Sequence, residues 1–157
     1  MFTFRKARMT DIENLHSLVN SYAQEGLMLA RSRSMLYEAL REFTVVEEDG
    51  EFIGTGGLHI IWEDLAEIRT LALTKKAIGK GIGRQLVERL VAEAKDLGIP
   101  KVFALTYQKD FFEKCGFKLV DKDQMSPKVW KECINCPKFP NCDEYAVIRE
   151  TGSHRQE

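Results

Sequence analysis

Apolar and polar residues alternate along the chain in patterns that divide it into short elements. Phe2 and Phe4 lie at strand spacing, and a helical stripe follows them, with Thr10 or Asp11 as its cap and Gly26 as its stop signal. The residues of that stripe are Ile12, Leu15, Leu18, Val19 and Tyr22. A second amphipathic helix is predicted from the spacing of Met35, Leu36, Leu40 and Phe43.

The middle of the chain predicts a hairpin, a further strand and a long helix. Asp49-Gly50 separates two strand-like runs, which is a strong hairpin signal. The second hairpin strand is expected to reach Trp62, and residues 65–74 form the next predicted strand. Apolar residues at helical spacing over 82–97 predict a long helix, which Gly98 ends.

The last third of the chain predicts shorter elements. A strand, a short helix and two more strands are expected at residues 101–106, 110–115, 117–120 and 145–148. The polar tail, residues 151–157, is expected to be frayed. The order of elements implies the α/β (α+β) class, with one domain over residues 1–150 built on a mixed, twisted sheet that has helices on both faces.

Length, composition and charge narrow the function classes. The chain has 157 residues, of which 44% are hydrophobic and 30% charged, as in an ordinary soluble globular domain. Its formal net charge of −1 provides no field toward nucleic acid or anionic membranes, so we expect neither as a partner. Apolar runs are too short to span a bilayer and the N-terminus lacks a signal-peptide pattern, so a cytoplasmic location is expected. A homodimer is left open.

A strand that enters a glycine-rich turn, followed directly by a helix, is the most informative stretch. The strand ends in Leu71-Ala72-Leu73, and the turn is Ile78-Gly79-Lys80-Gly81-Ile82-Gly83-Arg84. Glycines let successive N–H groups converge on one point, and a helix N-terminus adds free N–H groups and partial positive charge. Lys76, Lys80 and Arg84 add charge at the rim. The pattern predicts a phosphate-binding nest, the alternative being a plain strand-to-helix turn.

Two segments carry a family resemblance. The first is Lys76-x-x-Gly79-Lys80-Gly81-Ile82-Gly83, and the second is Phe111-Phe112-Glu113-Lys114-Cys115-Gly116-Phe117. They resemble the acetyl-CoA loop and the thiol-proximal segment of the GNAT N-acetyltransferase superfamily, with Lys76 in place of the usual Gln or Arg. The resemblance implies acetyl-CoA as acyl donor, held by residues 78–84, by Phe112 and by the main chain of residues 71–73.

Further runs are similar to a narrower group. They are Leu29-Ala30-Arg31-Ser32, Trp62-Glu63-Asp64-Leu65-Ala66-Glu67-Ile68-Arg69, Ala104-Leu105-Thr106-Tyr107 and the cysteine-containing segment 129–144. These runs resemble the short, stand-alone N-acetylglutamate synthases of arginine biosynthesis. The resemblance implies transfer of an acetyl group to the α-amine of L-glutamate. Two alternatives stay open: another acceptor, such as aspartate, a polyamine or a protein N-terminus, and a catalytically silent acyl-CoA sensor.

Glu67 is the candidate general base. An amino acid arrives as an ammonium ion and must lose a proton before it attacks a thioester. Glu67 lies on the strand that enters the glycine turn, at the position from which many GNAT enzymes offer a catalytic glutamate. Its neighbours Ala66 and Ile68 are apolar, and a dry site would raise the pKa of the carboxyl group. The alternative is a solvated glutamate paired with Arg69 or Lys75.

Arginine side chains are the candidates for binding the acceptor, because guanidinium groups bind carboxylates with two hydrogen bonds. Arg31 lies between the first two helices and matches an arginine that the synthase family uses for its substrate. Ser32 is expected to donate an additional hydrogen bond, and Arg69 is a second candidate cation. Arg33 is expected on the surface at a helix N-terminus.

The leaving thiolate and the cysteines raise two further points. Phe112 stands where many GNAT enzymes have a tyrosine acid, so Tyr107 is the candidate acid unless none is needed. Phe111 and Phe112 are expected to pack in the core. Cys133-x2-Cys136-x5-Cys142 is incomplete for structural zinc, and Cys115 would complete it only if folding brought it near. We therefore expect no metal and a rigid loop over residues 133–142.

Overall fold

The structure is a computed structural model that describes residues 1–122, 125 and 144–152. The helices in this part are α1 (Ile12–Gln24), α2 (Arg33–Glu38), α3 (Ile82–Asp96) and α4 (Lys109–Lys114). The strands are β1 (Phe2–Lys6), β2 (Phe43–Glu48), β3 (Glu51–Trp62), β4 (Leu65–Leu73), β5 (Lys101–Thr106), β6 (Lys118–Val120) and β7 (Tyr145–Glu150). They form one sheet in the order β1-β2-β3-β4-β5-β7-β6.

Parallel and antiparallel pairs both occur in this sheet. β4 runs parallel to β5, with Glu67 opposite Phe103, whereas β1 with β2, β2 with β3, β5 with β7 and β6 with β7 are antiparallel. The α/β class with a mixed sheet is therefore confirmed. The described residues fall into two compact units: the first holds Met1–Leu58 and Ile68–Leu90, and the second holds His59–Glu67 and the described residues from Val91 onward.

The first unit is built around the hairpin that Asp49-Gly50 predicted. Asp49 and Gly50 have φ values of 52° and 86°, as the tight turn between β2 and β3 requires. Val45 and Val46 are consecutive in β2 and therefore point to opposite faces of the sheet. On one face Val45 packs with residues of α1 and α2, and on the other Val46 packs with residues of α3. Within this unit, helices cover both faces.

The second unit carries β5, β6, β7 and α4. Val102 and Phe103 of β5 are fully buried, as is Val147 of β7, so these strands supply apolar core. Phe112 of α4 packs edge-to-face against Phe117 at a ring-centroid distance of 5.1 Å. Short apolar strands with a small helix are what the sequence predicted for this region.

The predicted second helix is too long. α2 ends at Glu38, and Phe43, which was assigned to its apolar stripe, instead opens β2 and pairs with Gly57. Met35 is 44% exposed, so Leu36 is the one residue of that stripe that is buried within α2. The spacing of the apolar residues fitted a helix, but a short turn at Leu40–Glu42 redirects the chain and strand pairing buries the Phe43 ring.

The start of α1 and the end of α3 also differ from the sequence prediction. Asp11 is the N-cap residue of α1, yet its carboxylate makes no capping bond to that helix. It accepts hydrogen bonds from the Arg5 guanidinium and from the Arg8 N–H instead. Leu97, expected on the inner face of the long helix, lies beyond its end and is 56% exposed.

Candidate active site

Strand β4 contains an unusual backbone conformation at Thr70. Its φ is 58°, in the left-handed region that a β-branched residue adopts at a cost of about 1–3 kcal/mol. A residue at positive φ interrupts the pleat, so the main-chain groups after Thr70 are re-aimed relative to those before it. Strain of this kind is found preferentially at functional sites. Threonine gives no local signal for such a conformation, and the sequence pattern missed it.

The end of β4 leads directly to the glycine turn. The N–H of Thr74 donates to the Ile53 carbonyl of β3 at 2.9 Å. Because successive residues of a strand direct their main-chain groups to alternate edges, the N–H and C=O of Leu73 face the edge away from β3. Leu71 and Leu73 were predicted to contact the acyl donor by their main chain. At Leu73 the structure shows the hydroxyl of Tyr22 bonded to both groups, at 3.1 Å and 2.8 Å.

The glycine turn has the geometry that a phosphate nest requires. Gly79 and Gly81 have φ values of 86° and 76°, and a Cβ added at either position would meet no atom within 4 Å. Both are exposed, whereas Ile82 at the start of α3 is fully buried and fixes the helix N-terminus beside the turn. The buried hydroxyl of Thr74 has no hydrogen-bond partner among the described residues. The turn is therefore open to a ligand and fits a pyrophosphate.

The lysines of the turn already have weak anionic partners. Lys76 Nζ lies 3.4 Å from Glu51 Oε1, and Lys80 Nζ lies 3.6 Å from Glu48 Oε2. Both glutamates belong to the β2–β3 hairpin. These pairs are exposed or half-buried, so each contributes little stability and a phosphate can compete for the lysines.

Arg31 is half-buried in the loop between α1 and α2, as predicted. Its main chain is held by Asn20 of α1: Asn20 Nδ2 donates to the Arg31 carbonyl at 2.9 Å, and the Arg31 N–H donates to Asn20 Oδ1 at 3.0 Å. Ser32 is the N-cap of α2, and its hydroxyl accepts from the Met35 N–H at 3.2 Å. That bond leaves the hydroxyl proton of Ser32 available for donation. Asn20 carried no signal in the sequence pattern.

The two other arginines of the prediction have different surroundings. Arg33 makes a two-bond pair with Glu13, at 2.8 Å and 2.9 Å, and both side chains are more than half exposed. Its expected surface position is thereby confirmed. Arg69, in the first unit, is half-buried on β4. A role of Arg69 in binding an acceptor stays a prediction.

The second unit contains the residues predicted for proton transfer. Glu67 is 8% exposed and lies beside the fully buried Ala66. This position excludes a fully solvated glutamate, but its role as a base stays a prediction. Tyr107 is half-buried between β5 and α4. Phe112 is 4% exposed, which confirms that it packs in the core, whereas Phe111, whose ring centroid lies 5.2 Å away, is only half-buried. Contact of Phe112 with an acyl donor stays a prediction.

The cysteine prediction lies almost wholly outside the described residues. Cys133, Cys136 and Cys142 belong to the part of the chain that the structure does not describe. Cys115 is buried, and its main-chain carbonyl accepts a hydrogen bond from Arg149 Nη1 at 2.8 Å. Within residues 1–122, 125 and 144–152, no group of three or more histidine, cysteine or acidic side chains is placed to hold a metal ion.

A helix that crosses a membrane must be long and apolar, and the helices of the described chain lack this combination.

Comparison with known proteins gives consistent results. The model of the acetyltransferase (GNAT) family matches residues 10–117. An uncharacterized N-acetyltransferase of Chlorobaculum tepidum is 39% identical over 145 residues, which cover 92% of this chain and 94% of the relative. An amino-acid acetyltransferase of Mycobacterium tuberculosis is 38% identical over 131 residues, covering 82% of this chain and 75% of the relative.

A solved structure extends the match to the whole fold. It is an N-acetylglutamate synthase from Neisseria gonorrhoeae complexed with coenzyme A and N-acetyl-glutamate. The TM-score is 0.87 at 26% identity, and the match covers 99% of this chain and 36% of that longer protein.

Proposed function

This chain belongs to the acetyltransferase (GNAT) family, and from that premise we propose that it transfers the acetyl group of acetyl-CoA to the α-amine of L-glutamate. Acetyl transfer to an amine is supported by the names of two relatives, an uncharacterized N-acetyltransferase and an amino-acid acetyltransferase. The observation that carries the glutamate assignment is the similarity over 99% of the chain to a synthase structure that holds N-acetyl-glutamate. Residues 1–150 would form the acetyltransferase domain and residues 151–157 a tail. Fraying from residue 151 onward is wrong for Thr151 itself, which is buried, with its N–H donating to the Pro100 carbonyl at 2.9 Å and its hydroxyl to the Ile99 carbonyl at 2.6 Å.

The donor side of the proposed site is supplied by the glycine turn. Its main-chain N–H groups and the N-terminus of α3 are proposed to bind the pyrophosphate, with Lys76, Lys80 and Arg84 adding positive charge. Phosphate oxygens would replace the hairpin carboxylates as partners of the two lysines. The main chain of Leu71 and Leu73 is proposed to bind the amides of the acyl-CoA arm. The positive φ of Thr70 supports this role, since it re-aims that part of the strand.

The acceptor side is proposed to use Arg31 for a carboxylate of glutamate. A guanidinium group binds a carboxylate with two hydrogen bonds, provided that the loop which carries it is held in place. The two hydrogen bonds between the Asn20 side chain and the Arg31 main chain hold the loop in that way. Ser32 and Arg69 are proposed as additional donors. A polyamine is a poor acceptor for such a site, because it would require acidic side chains rather than arginines.

The chemical step is proposed to be direct. Glu67 takes a proton from the acceptor ammonium, directly or through water, and the neutral amine then attacks the thioester carbon. A main-chain N–H of β4 stabilises the negative charge that develops on the thioester oxygen. The C–S bond breaks and the thiolate leaves with the electron pair, while the attacking nitrogen, which still carries two protons, releases one to water as the amide forms. Tyr107 is the candidate donor of a proton to the thiolate. No covalent bond to the enzyme is needed.

The test of this proposal is acceptor-dependent release of CoA. The purified protein is incubated with acetyl-CoA, a thiol reagent and, separately, glutamate, aspartate, glutamine, spermidine and a peptide N-terminus. Release with glutamate, together with N-acetylglutamate identified by mass spectrometry, is the expected result. Faster release with another acceptor would replace glutamate in the assignment.

One alternative keeps a specific observation in its favour. Phe112 cannot protonate a thiolate, which is compatible with a protein that binds acyl-CoA without turning it over. Tight binding of acetyl-CoA with no release of CoA for any amine would establish this alternative and overturn the proposed enzyme. A place in arginine biosynthesis and a cytoplasmic location follow from the proposed reaction and depend on it. A homodimer stays a prediction.

A further inference from the structure

The hydroxyl of Tyr22 satisfies both main-chain groups of one strand residue. It accepts a hydrogen bond from the Leu73 N–H at 3.1 Å and donates one to the Leu73 carbonyl at 2.8 Å. Tyr22 lies in the last turns of α1, 51 residues away in sequence, and its side chain is half-buried. A single hydroxyl that makes both bonds takes the place that the amide of a neighbouring strand would otherwise occupy.

The main-chain N–H and C=O of Leu73 lie on the edge of β4 that faces away from β3. Thr74, the next residue, bonds through its N–H to Ile53 of β3 at 2.9 Å. A Cβ added at Gly54 of β3 would lie 3.2 Å from the Ala72 carbonyl oxygen, which places Ala72 toward β3 as well. Leu73 lies between these two residues, so its N–H and C=O point the other way. Without Tyr22 they would form an unpaired strand edge.

This edge adjoins the glycine turn along the chain. Leu73 is followed by Thr74, by the turn Lys75–Ala77 and then by Gly79 and Gly81. An acyl-CoA molecule whose pyrophosphate lies on the turn extends an arm with two amide groups. An amide that pairs with Leu73 needs the same N–H and C=O that the Tyr22 hydroxyl uses. The hydroxyl and the amide therefore compete for one position.

We propose that Tyr22 is a gate on the acyl-donor side, a residue whose hydroxyl pairs with Leu73 in the ligand-free protein and is displaced when the acyl-CoA arm binds. The inference rests on the proposed function, because it concerns how the donor reaches its site. Displacement requires only a side-chain rotation. The Tyr22 carbonyl accepts from the N–H groups of Glu25 and Leu27, at 3.1 Å and 3.0 Å, so the main chain is anchored.

Removal of a group that binds a ligand weakens binding, whereas removal of the Tyr22 hydroxyl is expected to strengthen it. Tyr22→Phe keeps the ring but removes the competing hydroxyl, so acetyl-CoA should bind more tightly. In this variant the two hydrogen bonds of the hydroxyl do not have to be broken before the arm binds. At a net value of about 1 kcal/mol for one bond, the dissociation constant for acetyl-CoA should fall about fivefold or more. The fragment 3′-phospho-ADP (adenosine 3′-phosphate 5′-diphosphate) keeps the pyrophosphate of CoA but lacks the arm, so it occupies the turn alone. Its affinity should not change.

The experiment is calorimetric titration of the full chain with acetyl-CoA and with 3′-phospho-ADP. Tyr37→Phe is the matched control, since Tyr37 is 49% exposed on α2 and loses the same atom. Tighter acetyl-CoA binding in Tyr22→Phe alone, with unchanged 3′-phospho-ADP binding, supports the gate. Unchanged or weaker acetyl-CoA binding overturns it, as does an equal shift for both ligands.

A second measurement uses the wild-type protein and does not depend on the variant's folding. The chain has four tyrosines, so ring-carbon labelling gives few NMR signals, which single Tyr→Phe changes at the other three positions assign by elimination. Acetyl-CoA should shift the Tyr22 signal and 3′-phospho-ADP should leave it in place. A Tyr22 signal that acetyl-CoA does not move overturns the gate. Failure of the wild-type protein to bind acetyl-CoA would instead contradict the proposed function.

Discussion

Asn20 and Arg31 are joined by two hydrogen bonds of opposite direction, one from the Asn20 amide to the Arg31 carbonyl and one from the Arg31 N–H to the Asn20 amide oxygen. Asn20 Nδ2 also donates to the His16 carbonyl at 2.8 Å, within α1. The carboxamide thus ties the loop that carries Arg31 to the helix. The position of the Arg31 main chain is decided by a residue 11 positions away.

Asn20→Ala should weaken acceptor binding while leaving the donor side intact. Removal of both bonds lets the Arg31 loop move, and a guanidinium displaced by about 1 Å loses much of its value. We expect the KM for glutamate to rise about tenfold, with the affinity for acetyl-CoA unchanged. Asn14→Ala, an exposed position on the same helix, is the control. Equal losses for both substrates would show that Asn20 only stabilises the fold.

Arg31→Ala and Arg33→Ala separate a binding arginine from a surface one. Loss of a two-bond guanidinium–carboxylate interaction costs about 2–3 kcal/mol, so Arg31→Ala should raise the glutamate KM at least thirtyfold. Arg33 is paired with exposed Glu13, and its removal should change the KM by less than twofold. Steady-state kinetics with acetyl-CoA titration checks both. Weakened acetyl-CoA binding in Arg31→Ala would contradict the acceptor assignment.

Glu67→Gln should lower turnover most at neutral pH. At pH 7 the acceptor amine is almost wholly protonated and needs a base, whereas at high pH it deprotonates without help. The expected loss is about a hundredfold at pH 7 and much smaller near pH 9.5. Glu63→Gln, on the exposed turn between β3 and β4, is the matched control. A pH–rate profile parallel to that of the wild type would remove Glu67 from the mechanism.

Gly79→Ala and Gly98→Ala compare two glycines of the same backbone conformation. Their φ values are 86° and 85°, and neither has an atom within 4 Å of an added Cβ, so both variants carry the same strain of about 1 kcal/mol. Both should lower Tm by a similar amount. Only Gly79→Ala, in the glycine turn, should weaken acetyl-CoA binding. Similar loss of binding in both would mean that the turn is not the phosphate site.

Asp11→Asn should make the free energy of unfolding depend less on pH in the acidic range. The Arg5 guanidinium, bonded at 2.8 Å and 2.9 Å, holds the pKa of the Asp11 carboxyl below its usual 3.8. A lowered folded-state pKa contributes stability that is complete above 3.8 and is lost as pH falls through the folded value. The variant should be less stable than the wild type at pH 7, and the difference in free energy of unfolding should shrink as the pH falls below 3.8. Urea unfolding of both proteins across pH 2–7 measures this difference. A difference in free energy of unfolding that does not change with pH would contradict the role assigned to the Asp11 carboxyl.

Much of the fold could be predicted from short stretches of sequence. Asp49-Gly50 predicts the hairpin because the tight turn requires positive φ at both residues, and both adopt it. Gly26 and Gly98 mark the ends of α1 and α3 for the same reason, with φ values of 75° and 85°. Phe43 was misassigned because the same apolar spacing fits a helix and a strand, and strand pairing over a distance decided between them.

The candidate site was predicted in part. The glycine turn and the loop with Arg31 were identified from local pattern and family resemblance, and the buried position of Glu67 agrees with its apolar neighbours. Thr70 was missed, since its positive φ is a conformation that threonine itself does not favour. Tyr22 was assigned to an apolar stripe, and nothing in the stripe shows where its hydroxyl points.

The sequence by itself determined the order of the elements, the hairpin and the glycine turn, because these depend on residue type and on spacing over a few positions. The tertiary structure decided which distant groups meet: Tyr22 with Leu73, Asn20 with Arg31 and Asp11 with Arg5. Hydrogen bonds and ion pairs depend on tenths of an ångström and on angle. Such precision is set by how packed helices lie against the sheet, which no local pattern of apolar residues specifies.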